Sequence, residues 1–467
     1  MTGLFRDHAN GRILIISASA FTNIQPGILH PYAGRRTVPE NRRMLNRLPK
    51  DKSMNRLSLL LLVSVLSSLV STRASAQNWP RFRGENGSGI SDLQGIPSTW
   101  SDDGYAWRIE LPHVGHSAPI VWKKTLFVTS ATEGGGERFV HCLDADSGEE
   151  RWLVSIKVNP SEKHQKNSWA SSTPTTDGSR VYVLFADDAR LMAIAWDFNG
   201  QEVWRRDLGA YESEHGLGAS PILYDGLLII PNEQVGPSSL ITLNSETGEV
   251  VWQTNRLPGT TSYATPLIVS NSQSDQQIIY ASEANGITSV DLLTGKPIWT
   301  TKPLPSRTVA SPVESNGMIF ATSGGGGTGK YLIALQSDPT VSDESRTIFE
   351  RKTTLPYVPC MIVREDRLFL WGDKGILVCL EIPTGREIWS HRIDGGFTGS
   401  PICIGDQIFC VTESGEVVVI RADDHFEVLG RTALHDDCHS TPAVANGHLY
   451  LRTFRNLMAV KAQPDSQ

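Results

Sequence analysis

Ser220-Pro221-Ile222-Leu223-Tyr224-Asp225-Gly226-Leu227-Leu228-Ile229-Ile230-Pro231 and, after a glycine-containing loop, Ser239-Leu240-Ile241-Thr242-Leu243-Asn244-Ser245-Glu246-Thr247-Gly248-Glu249-Val250-Val251-Trp252 form one complete folding unit. Residues 220–224 are an apolar run that ends at Asp225-Gly226, a two-residue hairpin signal of the I′ type. Residues 227–231 and 239–243 supply two more strands, and the turn 244–248 leads into an outer strand, 249–254, that carries Trp252. Short runs of β-branched and aromatic residues bounded by Asn, Asp and Gly read as strands. The unit is therefore four antiparallel strands with no helical period.

The same unit recurs along the chain. Its opener, a small or β-branched residue before proline, stands at Pro119, Pro174, Pro221, Pro266, Pro312, Pro359, Pro401 and Pro442. The mean spacing of about 46 residues lies in the range of propeller repeats. Its closer, a glycine followed four residues later by tryptophan, gives Trp152, Trp204, Trp252, Trp299 and Trp389. The Asp or Asn of that turn holds the backbone and the glycine supplies a positive φ, which sets the tryptophan on a face that a neighbouring unit can bury. The hairpin signal recurs at Asp177-Gly178, Asn316-Gly317 and Asn446-Gly447. Units five and seven lack the closing tryptophan, and unit eight stops after three strands at 457–461. The missing strand is available at 105–111, where Trp107 precedes Trp152 by one period. The expectation is an all-β, eight-bladed propeller over 105–462, closed by the N-terminal strand so that no long edge stays open.

Ahead of the propeller, Asn55-Arg56, the apolar run 57–70 and Ala74-Ser75-Ala76 have the three parts of a secretory signal. The reading is a signal over 54–76, a leading segment 77–104, the propeller, and a tail 463–467. Residues 1–53 read as a mis-assigned start or a disordered extension. The apolar run is too short to span a bilayer, so the mature chain is expected to be soluble and periplasmic or secreted. Residues 1–76 hold 11 Lys or Arg and 3 Asp or Glu, so removing their net +8 takes the formal charge from −7 to −15. Such a charge argues against nucleic acid and anionic membrane as partners. The six cysteines include no Cys-x-x-Cys, which removes zinc-ribbon, thioredoxin-like and c-type haem readings. Cys403 and Cys410 flank a turn diagonally on one face, and a bridge between them is left open.

The Asp-x-x-Thr-Gly-x-x-x-Trp turn, the eight units and the exported chain resemble the pyrroloquinoline-quinone-type (PQQ-like) β-propeller repeat family. The segment Asn78-Trp79-Pro80-Arg81-Phe82-Arg83-Gly84-Glu85-Asn86-Gly87-Ser88-Gly89 is similar to the leading sequence of an exported bacterial branch. The resemblance implies one of two roles: quinoprotein dehydrogenase, or a non-catalytic propeller of the BamB kind from the outer-membrane β-barrel assembly machinery. A dehydrogenase would need an adjacent cysteine pair and a calcium held by carboxylates and amides, and this chain has neither in recognisable form. A lipoprotein of the BamB kind needs a cysteine after the signal, where Gln77 stands.

In a propeller, the segments ahead of each opener crowd at one mouth of the channel, where such folds bind. Those segments supply the candidate ligand-binding residues His116, Asn167, Trp169, His215, Tyr263, Arg307 and His439. His435, Asp436 and His439 are weak metal candidates without an established ligand spacing. Gly324 to Lys330 approaches a phosphate-binding loop, but Tyr331 replaces the Ser or Thr and the run joins two strands. The sequence thus points to a monomeric scaffold that binds a protein, peptide or small ligand at the channel mouth, in envelope assembly, with no cofactor. The alternatives are an oxidoreductase using PQQ with calcium or another metal, and a carbohydrate binder stacking sugars on Trp169 and Tyr263.

Overall fold

The computed structural model describes residues 78–270 and 275–463. The segments 1–53 and 54–76, and the tail beyond Gln463, lie outside the described residues. Eight sheets follow one another along the chain, seven of four antiparallel strands and one, in blade seven, of four antiparallel strands with a short parallel fifth. Unit three becomes Ile222–Tyr224, Leu227–Asn232, Ser239–Asn244 and Val250–Asn255, close to the expected bounds. The apolar faces of neighbouring blades bury one another, and no helix among the described residues is long and apolar enough to cross a membrane.

Closure follows the expected route. Tyr105–Glu110 pairs antiparallel with Asn456–Lys461, in register from Tyr105 opposite Val460 to Glu110 opposite Asn456. The turns at Asp225-Gly226, Asn316-Gly317 and Asn446-Gly447 have both φ angles positive, as a type I′ turn requires. Asp177-Gly178 differs. Only Gly178 has a positive φ there, and Asp177 Oδ1 accepts the amides of Ser179 and Arg180 at 2.7 and 2.8 Å, making a longer loop.

The tryptophan closers lock each blade to the next. The indole N–H of Trp107, Trp152, Trp204, Trp252 and Trp389 donates to Ala145, Phe198, Ser245, Leu292 and Asp423 respectively, at 2.9–3.0 Å, in the outer turn of the following blade. Gly148 shows why that turn needs glycine: its φ is +75°, and a Cβ would stand 2.7 Å from the Trp107 ring. Where the pattern lapses, other groups take over. Trp299 meets no such turn in blade five; the Arg346 guanidinium, placed by the single-turn helix Asp343–Arg346, lies 4.3 Å from its ring centroid. Phe349 stands in for tryptophan against Gly385, and blade seven is covered by the leading segment, with Trp100 N donating to Thr432 Oγ1.

The six cysteines are all free thiols, so the possible Cys403–Cys410 bridge is not formed. Their sulfurs point to different carbonyls, Cys403 to Gly405 and Cys410 to Gly399. Cys142 and Cys379 occupy one repeat position opposite Trp152 and Trp389, as small core filler.

One buried imidazole carries a pH dependence. His141 is fully buried in blade one, with Ser130 Oγ at 2.7 Å from Nε2 and Glu150 Oε2 at 3.0 Å from Nδ1. Burial pulls its pKa down to about 4, against the opposing pull of Glu150. The unfolded imidazole protonates near 6.5, so between these values the unfolded chain binds the extra proton. The stabilisation is complete above pH 6.5 and is lost as pH falls toward 4, by an amount on the order of 3 kcal/mol. Urea titrations across this window should show that slope, and His141→Gln should flatten it.

Candidate functional site

The second residue of the openers, in all blades but the sixth, builds a run of hydrogen bonds around the channel that is interrupted only at the closure seam. The amide of Ala118 donates to Thr173 Oγ1, Thr173 to Ser220 Oγ, Ser220 to Thr265 Oγ1, and Thr265 to Ser311 Oγ, at 2.9–3.3 Å. Ser311 then donates to Cys360 Sγ at 3.2 Å, Cys360 to Ser400 Oγ at 3.0 Å, and Ser400 to Thr441 Oγ1 at 2.9 Å. A hydroxyl before proline is therefore the acceptor for the previous blade, and the proline that follows brings no N–H to satisfy. The ring corrects one opener. In blade six the ring residue is Cys360, two positions after the Val358 that precedes Pro359, and Met361 takes the proline position. At the seam Ala118 has no acceptor, and Ser440 Oγ instead donates to Ser117 O at 3.0 Å.

Below this ring the leading segment crosses the channel. Trp79 bridges Val121 of blade one, Pro80 O accepts Thr176 N of blade two, and Arg81 Nη2 donates to Pro266 O of blade four at 3.0 Å. Arg83 Nη2 reaches Met361 O of blade six at 2.6 Å, and Ile90–Ser91 adds a parallel strand to blade seven. The channel is thereby stoppered, and Phe82 reaches the cavity above.

That cavity, of about 640 Å³, is a cup whose wall includes the ring residues from Thr173 to Thr441. His116, Asn167, His215, Tyr263, Arg307 and His439 all line it, so the structure brings six of the seven candidates together. The His116 and His439 rings stack with centroids 4.9 Å apart across the closure seam, and burial lowers the pKa of both. Arg307 Nη1 lies 2.7 Å from His215 Nε2, and its Nη2 donates to Glu214 Oε1 at 2.8 Å. Asn167 Nδ2 donates to His215 O at 2.7 Å, and Tyr263 OH lies 3.0 Å from Ser213 Oγ.

Trp169 is the exception. Its indole N–H donates to Ser161 O at 2.7 Å, Lys163 Nζ lies 4.8 Å from the ring centroid, and it lies outside the cup. It therefore offers no stacking surface there. The metal candidates also separate. His435 is exposed, and Asp436 Oδ2 is taken up by Thr453 Oγ1, Arg455 N and Asn456 Nδ2, fixing a turn of blade eight. His113 stacks on Phe139 at 4.0 Å and so stays apart from the His116–His439 pair.

Four site residues escaped the sequence reading: Phe82, Asp373, Lys374 and Glu413. The acidic pair had a signal. Glu233, Glu283, Asp373 and Glu413 each stand four residues after Ile229, Ile279, Phe369 or Phe409, the second-strand residues paired with an inner strand. Asp373 accepts the amides of Tyr357 at 2.7 Å and Val358 at 3.1 Å, and burial raises its pKa. Glu413 accepts Lys166 Nζ at 2.7 Å, so the arm 157–170 reaches across the mouth from blade one to blade seven.

These residues do not fit a quinone with its calcium. Asp373 is spent on backbone amides and Glu413 on Lys166, the Asn167 amide oxygen accepts Ser168 N and Ser171 Oγ, and Arg307 and Lys374 bring positive charge to the same wall. No group of three or more metal-ligating side chains converges among the described residues.

The family model described as outer membrane protein assembly factor BamB matches residues 100–337 and 358–425. Among curated proteins, the chain is similar to outer membrane protein assembly factor BamB of Moranella endobia, 23% identical over 334 residues, covering 60% of this chain and 80% of the relative. It is 22% identical to that of Shewanella oneidensis over 305 residues, covering 61% and 72%. Among solved structures, BamB from Moraxella catarrhalis superposes with a TM-score of 0.55 at 18% identity, over 76% of this chain and 96% of that one. Quinohemoprotein alcohol dehydrogenase from Comamonas testosteroni gives a TM-score of 0.61 at 13% identity, over 85% and 82%. At such identities the structural likeness concerns the fold alone.

Proposed function

The chain belongs to the outer membrane protein assembly factor BamB family, and on that basis we propose that it is an exported scaffold in outer-membrane protein assembly, holding a protein or peptide partner at the mouth of the cup. The observation that carries this reading is the stopper. With the channel crossed by its own leading segment, a partner engages from the mouth alone, where the connecting segments of the blades converge. The wall chemistry suits a peptide. Lys166 is answered by Glu413 and Arg307 by Glu214, which leaves a near-neutral surface of imidazole, phenol and hydroxyl groups, with Lys374 as the cation of the wall that no carboxylate among the described residues pairs with. An extended segment offering an apolar side chain to Phe82 and Tyr263 and an acidic one to Lys374 matches that surface.

The test is genetic and biophysical. A strain lacking this chain should lose outer-membrane β-barrel proteins, and the wild-type gene should restore them. A variant carrying His116→Ala, His215→Ala and Arg307→Ala should fail to restore them while its thermal midpoint stays that of the wild type. A matching loss of thermal stability would assign these residues to folding instead, and normal barrel levels in the deleted strain would remove the assembly role.

A further inference from the structure

The connection from Lys157 of blade one to Thr175 of blade two is the long one of the circle. Residues 158–174 make 17, whereas the other seven connections between an outer strand and the next inner strand, counted between strand bounds, hold 9 to 12. The surplus builds no strand. The amides of Ser161, Glu162, Lys163 and Gln165 donate to no group among the described residues, and His164, Lys166 and Asn167 line the cup.

Three supports hold this segment. At its stem, Ala170 O accepts the amides of His116 at 3.1 Å and Ser117 at 2.9 Å. On one flank it rests on the connection that leaves blade two: His164 N donates to His215 O at 3.1 Å, Asn167 Nδ2 donates to His215 O at 2.7 Å, and a Cβ at Gly216 would stand 3.1 Å from Lys163 Cβ. At its tip, Lys166 Nζ donates to Glu413 of blade seven, at 2.7 Å to Oε1 and 3.0 Å to Oε2. The tip is the weak support, because its two side chains are 52% and 28% exposed, and an ion pair so open to water and salt contributes little. The segment thus runs as a chord across the mouth, from the junction of blades one and two to blade seven. The stacked His116 and His439 rings belong to the connections on either side of blade eight, behind that chord.

We propose that residues 160–167 form a strap that closes the blade-eight side of the cup, and that release of the Lys166–Glu413 latch admits a segment of the partner to the His116–His439 pair. The strap turns about its seat on His215 while Ala170 stays fixed to His116 and Ser117. A latch made of one exposed pair favours the closed state by only a small factor, so the strap opens while the propeller stays folded. The proposal rests on the reading of the cup as the place of binding, but the opening of the strap is measured without any partner.

Hydrogen exchange of the folded full chain, read by mass spectrometry on peptides covering residues 159–168, tests this. Glu413→Gln should speed exchange there about two- to fivefold, the range for an exposed pair, and leave the thermal midpoint and the exchange of the blade strands as in the wild type. The reversed pair, Lys166→Glu with Glu413→Lys, should restore the wild-type rate. Molar sodium chloride should speed the wild type in the same way and add little to Glu413→Gln. For access, the thiol introduced by Thr398→Cys, at the position whose hydroxyl lies 2.8 Å from His439 Nδ1, should react with a bulky maleimide about two- to fivefold faster once Glu413→Gln is added. Exchange of residues 159–168 that neither Glu413→Gln nor salt alters would overturn the latch, and faster exchange with unaltered labelling at position 398 would overturn its control of access. A cup that binds no peptide would remove the assembly reading and leave these rates as they are.

Discussion

Trp107→Ala is expected to lower the unfolding free energy by about 3–5 kcal/mol, the range for emptying a large aromatic from a packed site. Trp107 is 9% exposed, lies in the core cluster shared by blades eight and one, and sits 6.1 Å between ring centroids from Tyr450. It also donates to Ala145 O at 3.0 Å, so alanine leaves that carbonyl without the indole. The location enlarges the consequence. The four antiparallel strands of every other blade are continuous in sequence, whereas blade eight takes its outer strand from across the seam. Urea denaturation should show the loss together with weakened amide protection of Asn456–Lys461, while Trp389→Ala should leave that strand protected. A loss under about 1 kcal/mol would mean that the ring closes without help from this side chain.

Arg256→Met is expected to cost a similar amount, about 3–5 kcal/mol, for an electrostatic reason. Arg256 Nε and Glu233 Oε1 meet at 3.0 Å with side chains only 6% and 4% exposed. Glu233 further accepts Ser282 Oγ at 2.9 Å and Asn285 Nδ2 at 3.1 Å, and Arg256 Nη2 donates to Thr288 Oγ1 at 2.8 Å, so the pair joins blades three and four. Removing the cation strands a buried carboxylate, which is dearer than removing both partners. The double variant Arg256→Met with Glu233→Gln should therefore recover a large part of the loss, and a double-mutant cycle should give a coupling of about 2 kcal/mol or more. Additive losses would show that the pair contributes through packing.

The blades were legible because a propeller repeats its local chemistry. The outer turn, its glycine and the tryptophan four residues on recur in five blades, and the pattern breaks at blade five, where a single-turn helix replaces the turn and Phe349 the tryptophan. The seam strand was legible because Trp107 keeps the period. What escaped was whatever depends on which blade faces which. Pro359 conceals the true start of blade six, since the position is defined by the acceptor of the Ser311 amide and that acceptor is a sulfur two residues later. Trp169 reads as a mouth residue by position, but its indole turns to Ser161, a contact that no periodicity announces. Asp436 resembles a ligand beside two histidines until its neighbour in space, the turn 453–456, is known. The stopper was least legible of all: nothing in the segment 78–89 announces a path across the channel, and only the bonds of Arg81 to Pro266 and of Arg83 to Met361 show these two buried at the axis.

The ring at the floor of the cup has a further consequence for how such molecules change over evolutionary time. Each repeat brings one amide to give and one side-chain acceptor to offer, so duplicating or deleting a whole repeat adds or removes a matched link and leaves nothing unpaired at the new junctions. Circumference can vary while every local contact is conserved. The exception is the join at Ala118, where a methyl group stands in place of an acceptor. Shuffled repeats are thus interchangeable everywhere except there, and a permuted chain that moved its ends to another junction would have to carry this alanine into the interior of the circle or restore a hydroxyl in its place.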